Sequence, residues 1–389
     1  MEAPTLSSSF VKEAAICVGF DACGIAVASP LTEEEWGYEE WLRLGYQADM
    51  VYMEQHRDKR SDPSLLVPGA RSVIVLLSGY KPSQTMLDRV SGARIAQYAY
   101  GEDYHERIKR MLFQLIAAIR QQYPDFEAKP CVDTVPISDK QWARRAGLGW
   151  IGRNTLLVNP VLGSYCNIGE LVTPSPADSY DTPIENRCGD CRTCVDACPN
   201  HALSESRANS FAMPSQSMVT TEGSNHALSE SIANSFAMPS QSMVTTEGSN
   251  HALSESRANS FSMPSQSMVT TEDSNKTLTN SQINELTHSS IPLLDANRCA
   301  SYHTVENRAE TLPSDIRLSG YAFGCDICQL VCPYNQTAEV RYTLTDERKA
   351  QLEALADADP TAFKRLTKHT ALSRIRHSQW QRNRTQRES

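Results

Sequence analysis

The chain has 389 residues, enough for two or three domains, and carries a formal net charge of −9. No apolar run approaches the ~20 residues of a membrane span, and Met1–Phe10 lacks the basic start and apolar stretch of an export signal. Membrane and oxidised secreted proteins are therefore disfavoured, and the 12 cysteines belong in a reducing compartment, most simply the cytoplasm.

Residues 9–27 read as an amphipathic helix running into a turn at Gly24. Ser72–Ser78 is short, β-branched and apolar between Pro68-Gly69 and Gly79, which predicts a buried strand. Asp103 opens a long helix, with Glu106 completing a capping box. Ile108, Met111, Leu112, Leu115, Ile116 and Ile119 line one face of it. Further strands are expected around Cys131–Val135 and Asn167–Thr173, so helices and strands alternate through residues 1–180.

The densest polar constellation runs from Cys131 to Glu170. Gly147, Gly149 and Gly152 there let the backbone approach a large ligand closely. They match Gly-x-Gly-x-x-Gly by letter, but the preceding stretch, Lys140–Ala146, is helical in pattern where a dinucleotide fingerprint needs a strand. Asp133 closes an apolar strand-like run just before Pro136. A carboxylate in such surroundings has its pKa raised and can donate a proton; the alternative is a turn residue or helix cap. Cys17, Cys23, Cys131 and Cys166 stand singly among apolar residues and read as small buried hydrophobes.

Cys188, Cys191, Cys194 and Cys198-Pro199 have the spacing of a two-cluster ferredoxin, where three thiolates hold one cube and the fourth reaches another. Cys325, Cys328 and Cys332-Pro333 repeat the pattern with the first member displaced, and Cys299 is left to supply it. The crossed rule gives Cys188, Cys191, Cys194 and Cys332 to one cluster, and Cys198, Cys299, Cys325 and Cys328 to the other. Two zinc sites are the alternative, although zinc knuckles usually come as Cys-x-x-Cys pairs.

Between the two groups, His201–Asn225, His226–Asn250 and His251–Asn275 are near-identical tandem copies rich in Ser, Thr, Asn and Gln. Such units bury too little apolar area to offset their ordering entropy, so residues 203–290 are expected to form a mostly disordered surface insertion. A long loop can still bring Cys198 and Cys299 together, because closure cost grows only logarithmically with length. From Lys364 onward, eight Lys or Arg face a single acid, Glu388, around Trp380. That stretch is either a contact for a polyanion or a solvated helical tail.

Taken in order, these motifs resemble the epoxyqueuosine reductase family. The matching pieces are Lys59–Pro63 with Pro68–Ser72, Tyr98–His105, Asp133–Pro136, Ala146–Asn154, Gly163-Ser164, Gly169-Glu170, Cys188–Pro199, Cys299–Tyr302 with Thr304–Glu306, and Gly324–Asn335. They span residues 10–202 and 291–385. The resemblance implies an α+β protein: a cobalamin-binding catalytic α/β domain over 1–180, a two-cluster 4Fe-4S ferredoxin-like domain over 181–202 and 291–336, and a short helical basic C-terminal segment over 337–389. It implies reduction of epoxyqueuosine to queuosine in the tRNA anticodon loop, the last step of queuosine synthesis, with Asp133 as proton donor. Arg60, Tyr98, Asp133, Ser138, Asp139, Lys140, Asn154 and Ser164 align with the corrin pocket, and Ser301 and Asp326 with the cluster–corrin junction. An external flavodoxin- or ferredoxin-like electron donor and a monomeric state are expected, and Arg374, Arg376, Arg382 and Arg384 are candidate tRNA contacts.

Two departures stand out: the family's short linker between cysteine groups is replaced by the repeats, and Arg153 stands where the family often has lysine. The competing functions are a two-cluster electron-transfer protein and another corrinoid-dependent reductase. A pure electron carrier needs no acid such as Asp133, and dehalogenase-like corrinoid reductases are usually exported.

Overall fold

The computed structural model describes residues 3–32, 37–83, 93–206 and 291–386. Residues 1–210 and 286–389 fall in one unit; the second unit, 211–285, and with it most of the expected insertion, lies outside the described residues. No described helix is long and apolar enough to cross a membrane.

The first helix, α1 (Ser8–Val18), is shorter than its apolar pattern suggests. Gly19 at φ 108 closes it by donating to Ala15 and Ile16 carbonyls. The rest of the predicted helix is instead a strand, β1 (Ala22–Val27), because its small apolar residues pair along the full length of β2 (Ser72–Gly79). Between them lie α2 (Tyr38–Arg43) and α3 (Arg57–Ser61), and β2 is followed by β3 (Arg94–Ile95). The long helix α4 (Tyr104–Gln122) starts where expected, with Asp103 accepting from the His105 amide. Its capping box does not form as predicted: Glu106 pairs with His369, and the Asp103 amide donates to the His369 carbonyl.

After β4 (Lys129–Cys131) come α5 (Asp139–Arg145), the short pair β5 (Trp150–Ile151) and β6 (Leu157–Val158), and β7 (Cys166–Thr173). The main sheet runs β1-β2-β7-β4, with every neighbouring pair antiparallel. Every residue of β2 is buried, because helices cover both faces. Ile74 and Leu76 face the core formed with α1 and α4, while Val73, Val75 and Leu77 face the core formed with Trp142 and Ala143 of α5. Fully burying each such side chain stabilises the fold by about 1.5–3 kcal/mol.

The glycines near 150 sit where neighbouring protein atoms leave no room for a side chain. A Cβ on Gly147 would come 2.7 Å from the Thr182 carbonyl, one on Gly149 would strike the Val158 carbonyl, and one on Gly152 would meet Asn154 Oδ1 at 2.7 Å.

Beyond α6 (Thr193–Asp196), β8 (Leu203–Ser206) pairs antiparallel with β9 (Ile291–Leu294). The first four residues of the predicted disordered insertion are thus paired strand. The chain continues through α7 (Ala300–Val305), β10 (Tyr321–Phe323), α8 (Ile327–Leu330) and α9 (Pro333–Gln336), with β10 lying parallel to β3. Three helices close the chain: α10 (Asp346–Glu353), α11 (Pro360–Thr367) and α12 (His377–Thr385). They build a further core from Tyr100, Phe323, Leu352, Phe363, Leu372 and Trp380.

Candidate functional site

Asp133 lies just past β4, where the chain leaves the sheet. Its φ of +38 is left-handed, and the Thr134 amide folds back onto the Val132 carbonyl. Aspartate tolerates this conformation better than most residues, yet it still costs on the order of 1 kcal/mol or more. The carboxylate gathers three partners on Oδ2: Tyr104 Oη at 2.9 Å, His105 Nε2 at 2.9 Å and Arg374 Nη1 at 3.5 Å. Behind His105, Nδ1 lies 2.6 Å from Asp103 Oδ1, so the imidazole bridges two carboxylates. Tyr104 stacks on His105 with ring centroids 4.0 Å apart, and Tyr98 meets Tyr104 edge-on at 6.2 Å. Ringed by these groups, the Asp133 side chain still keeps 45 % of its accessible surface.

These contacts reverse the expected pKa. Desolvation pushes Asp133 upward, but the hydrogen bonds from His105 and Tyr104 and the charge of Arg374 outweigh it, leaving its pKa below the ordinary aspartate value. For His105, burial opposes the charged form, yet the bonds to Asp133 and Asp103 prevail and raise its pKa. The proton of the pair therefore rests on the imidazole.

Behind this group sits a buried acid that the sequence reading noted only as part of a motif. Glu170, on central strand β7 opposite Cys131, has no solvent exposure. It shares its surroundings with Asp139, the first residue of α5. Burial raises both carboxyls: Asp139 goes to about 7, helped by the charge of Asp133 and opposed by a hydrogen bond from Glu170, and Glu170 goes well above its usual value, helped by the charge of Asp139, so Glu170 is the protonated partner at neutral pH. A glutamate inside the apolar run Gly169–Thr173 was the available signal.

The other predicted pocket residues divide by what they touch. Asn154 is buried with Nδ2 lacking a partner among the described residues, and Arg60 Nε is likewise buried and unpartnered. Such donors suit a large ligand fringed with amide carbonyls, as a corrin is. Ser138 precedes α5 at its N-cap without a side-chain capping bond. Lys140 donates to the Thr155 carbonyl at 2.7 Å, and burial lowers its pKa. Ser164 is buried in a network with Asn335 Nδ2 (2.8 Å) and Gln329 Nε2 (3.1 Å), tying the sheet region to the cysteine region. Asp326, also buried, accepts from the Gln97 amide at 2.8 Å. Ser301 lies on α7, two residues past Cys299.

The eight clustered cysteines lie near one another, and Cys328 senses Cys325 and Cys299 together with Cys194 of the other expected set. Cys194 feels Cys188, Cys332 and Cys191 as its neighbouring thiols, and Cys332 feels Cys188 and Cys191. Cys299 and Cys198 lie together, and Cys325 senses both. Burial and neighbouring thiols raise Cys194 to about 11 and Cys325 to about 12, so without a positive charge nearby these thiols stay protonated at neutral pH. No three His, Cys, Asp or Glu among the described residues are arranged to hold a single metal ion.

The basic C-terminal stretch is not a free tail. Trp380 is fully buried and donates to the Leu355 carbonyl. Arg382 binds the carbonyls of His303, Asn307 and Ala309, and Arg384 binds that of Ala356 at 2.5 Å. Arg374 is exposed but paired with Asp133 and Glu306, and Arg376 is the other exposed member of the four predicted tRNA contacts. The sequence reading missed the burial because Trp380 and the arginines alternate too irregularly to show an apolar face.

The family described as epoxyqueuosine reductase QueG, DUF1730, matches residues 60–134, and a 4Fe-4S binding domain matches 182–204. An epoxyqueuosine reductase from Cyclobacterium marinum is 31% identical over 381 residues, covering 97% of this chain and 95% of that protein. One from Synechocystis is 31% identical over 363 residues, covering 92% and 91%. Among solved structures, an epoxyqueuosine reductase with an epoxyqueuosine-modified tRNA-Tyr stem loop superposes with a TM-score of 0.66 at 23% identity, covering 96% of this chain and 78% of that one. A Bacillus subtilis epoxyqueuosine reductase, with its catalytic aspartate loop swung out of the active site, gives 0.65 at 22% identity over the same shares.

Proposed function

The chain belongs to the epoxyqueuosine reductase family, and on that premise we propose that it reduces epoxyqueuosine in the tRNA anticodon loop to queuosine, with Asp133 delivering the proton. The reaction breaks both C–O bonds of the epoxide, forms a C=C bond, and takes up two electrons and two protons to release the oxygen as water. Cobalamin, when bound, would supply the strongly reducing centre, fed singly by two 4Fe-4S clusters from an external donor. The partnerless donors of Asn154 and Arg60, with Tyr98, support a corrin pocket beside Asp133. The two thiol groups support the ligand sets Cys188, Cys191, Cys194, Cys332 and Cys198, Cys299, Cys325, Cys328.

The observation that carries this reading is the chain Asp103–His105–Asp133. Tyr104, His105 and Arg374 all meet the carboxylate on Oδ2, so we assign Oδ1 to the substrate oxygen. His105 Nε2–H passes its proton to the Asp133 carboxylate, which delivers it to the substrate oxygen, and Asp103 stabilises the imidazolium that holds the proton beforehand. The acid is thus a pair, which explains how a carboxyl held below its ordinary pKa can serve at neutral pH. The exposed Lys364, Arg365, Lys368 and Arg376 are the cations we assign to tRNA phosphates.

The test is turnover of epoxyqueuosine-containing tRNA by Asp133→Asn. A loss of about 100-fold or more is expected with iron and cobalamin content unchanged; near-normal turnover removes Asp133 from the chemistry. Binding of the same tRNA across a salt series checks the phosphate assignment, since charge-neutral variants of the four cations must flatten its slope.

A further inference from the structure

Arg374 touches two carboxylates at once. Its Nη1 lies 3.5 Å from Asp133 Oδ2, and its Nη2 lies 2.8 Å from Glu306 Oε1. The backbone beneath it is fixed: Leu372 and Ile375 are buried, and the Arg374 carbonyl accepts from Arg308 Nη1 at 3.0 Å. Arg308 is itself held by Gln379 Oε1 at 2.7 Å. The Arg374 side chain remains 38 % accessible above this anchored backbone.

Other charged and titratable groups also face Asp133. Tyr104 and His105 come from α4, with Asp103 behind them. Tyr98 approaches from the turn before α4, and Tyr52 from the segment preceding α3, with Arg60 beside it. Glu306 follows α7, and Asp139 and Glu170 lie on the buried side. Within this set, Arg374 is the permanently charged side chain that reaches Asp133 itself among the described residues.

We propose that Arg374 is a positioning residue that fixes where the proton rests between His105 and Asp133, and that Glu306 tempers this by holding the other arm of the same guanidinium. The inference rests on the reading of Asp133 as the acid and adds to it a control from the C-terminal segment. A guanidinium beside Asp133 favours the carboxylate and so sends the shared proton to His105. Removing that charge makes the pair hold its proton to higher pH, and the midpoint belongs to the pair rather than to either residue. Removing Glu306 does the opposite: one repelling negative charge is lost, and Arg374 is released wholly to Asp133. Opposite movements distinguish an electrostatic role from simple loss of structure.

The experiment is a pH titration of the His105 ring nitrogens by NMR. It uses full-length ¹⁵N-histidine-labelled protein with its metal centres oxidised and diamagnetic, and His105→Asn assigns the signal. Arg374→Gln is expected to move the midpoint up by about half to one pH unit, Glu306→Gln to move it down by a similar amount, and Arg374→Lys to return it towards the wild type. Both variants moving the same way, or neither moving, overturns the proposal. The titration needs no turnover, so it separates from the functional reading. Opposite shifts in a protein that fails to reduce epoxyqueuosine-containing tRNA would keep the clamp and remove the reaction.

Discussion

In the four-stranded sheet, β2 is buried along its whole length between two helical layers. Around the cysteines, α6, α8 and α9 are four-residue helices beside a small cluster of Ala300, Ile316 and Leu318. Apolar area specifies the first region. The second has too little of it, and its short helices require cross-links that a metal cluster would supply. The contrast shows why the two regions should respond to different insults.

The sharpest break is at the crossing point. Cys332→Ala should strip the cluster assigned to Cys188, Cys191 and Cys194, dropping iron from about eight to about four per chain while the sheet persists by circular dichroism. Full iron content would disprove the crossed assignment. Next in size, Leu76→Ala opens a cavity in the sheet core and should cost about 2–5 kcal/mol in urea unfolding, with iron per folded chain unchanged. Loss of iron in step with stability would show that the two regions are energetically one.

A smaller effect lies at their junction with the C-terminal helices. Asp133 is depressed below 3.8, so its contribution is present above that pH and fades as pH falls through the lower folded value. His105 is raised above 6.5, so its contribution is present below that pH and is lost as pH rises through the folded value. His105→Asn should therefore destabilise most between about pH 4 and 6.5, by under about 1 kcal/mol given the exposure of Asp133. A pH-independent difference in melting temperature would refute the linkage. Smallest of all, deleting residues 211–285 should leave iron content and melting temperature unchanged; loss of either would assign those residues a structural part.

Much of this contrast was legible in the residues. The run Ser72–Ser78 and the periodic face of α4 each depend on local pattern, and each matches the fold. What escaped depends on distance along the chain. His105 and Arg374 stand 28 and 241 positions from Asp133, so the reversal of its pKa follows from tertiary contacts that no local window contains. The over-long first helix has a related cause, since Ala22–Val27 suits either period until β2 offers its edge. The burial of Trp380 in that basic stretch is decided by Phe323, Phe363 and Leu355, which no local pattern around it reveals.

The ladder between Leu203–Ser206 and Ile291–Leu294 carries a consequence for how such a gene can change. With its two ends stapled there, whatever is spliced between them leaves the separation of Cys198 and Cys299 untouched. Replication slippage can then add or drop whole copies without selection on the redox centre registering the event. The same doorway would accept a foreign cargo, such as an affinity tag or a fluorescent reporter, at little expense to the catalyst.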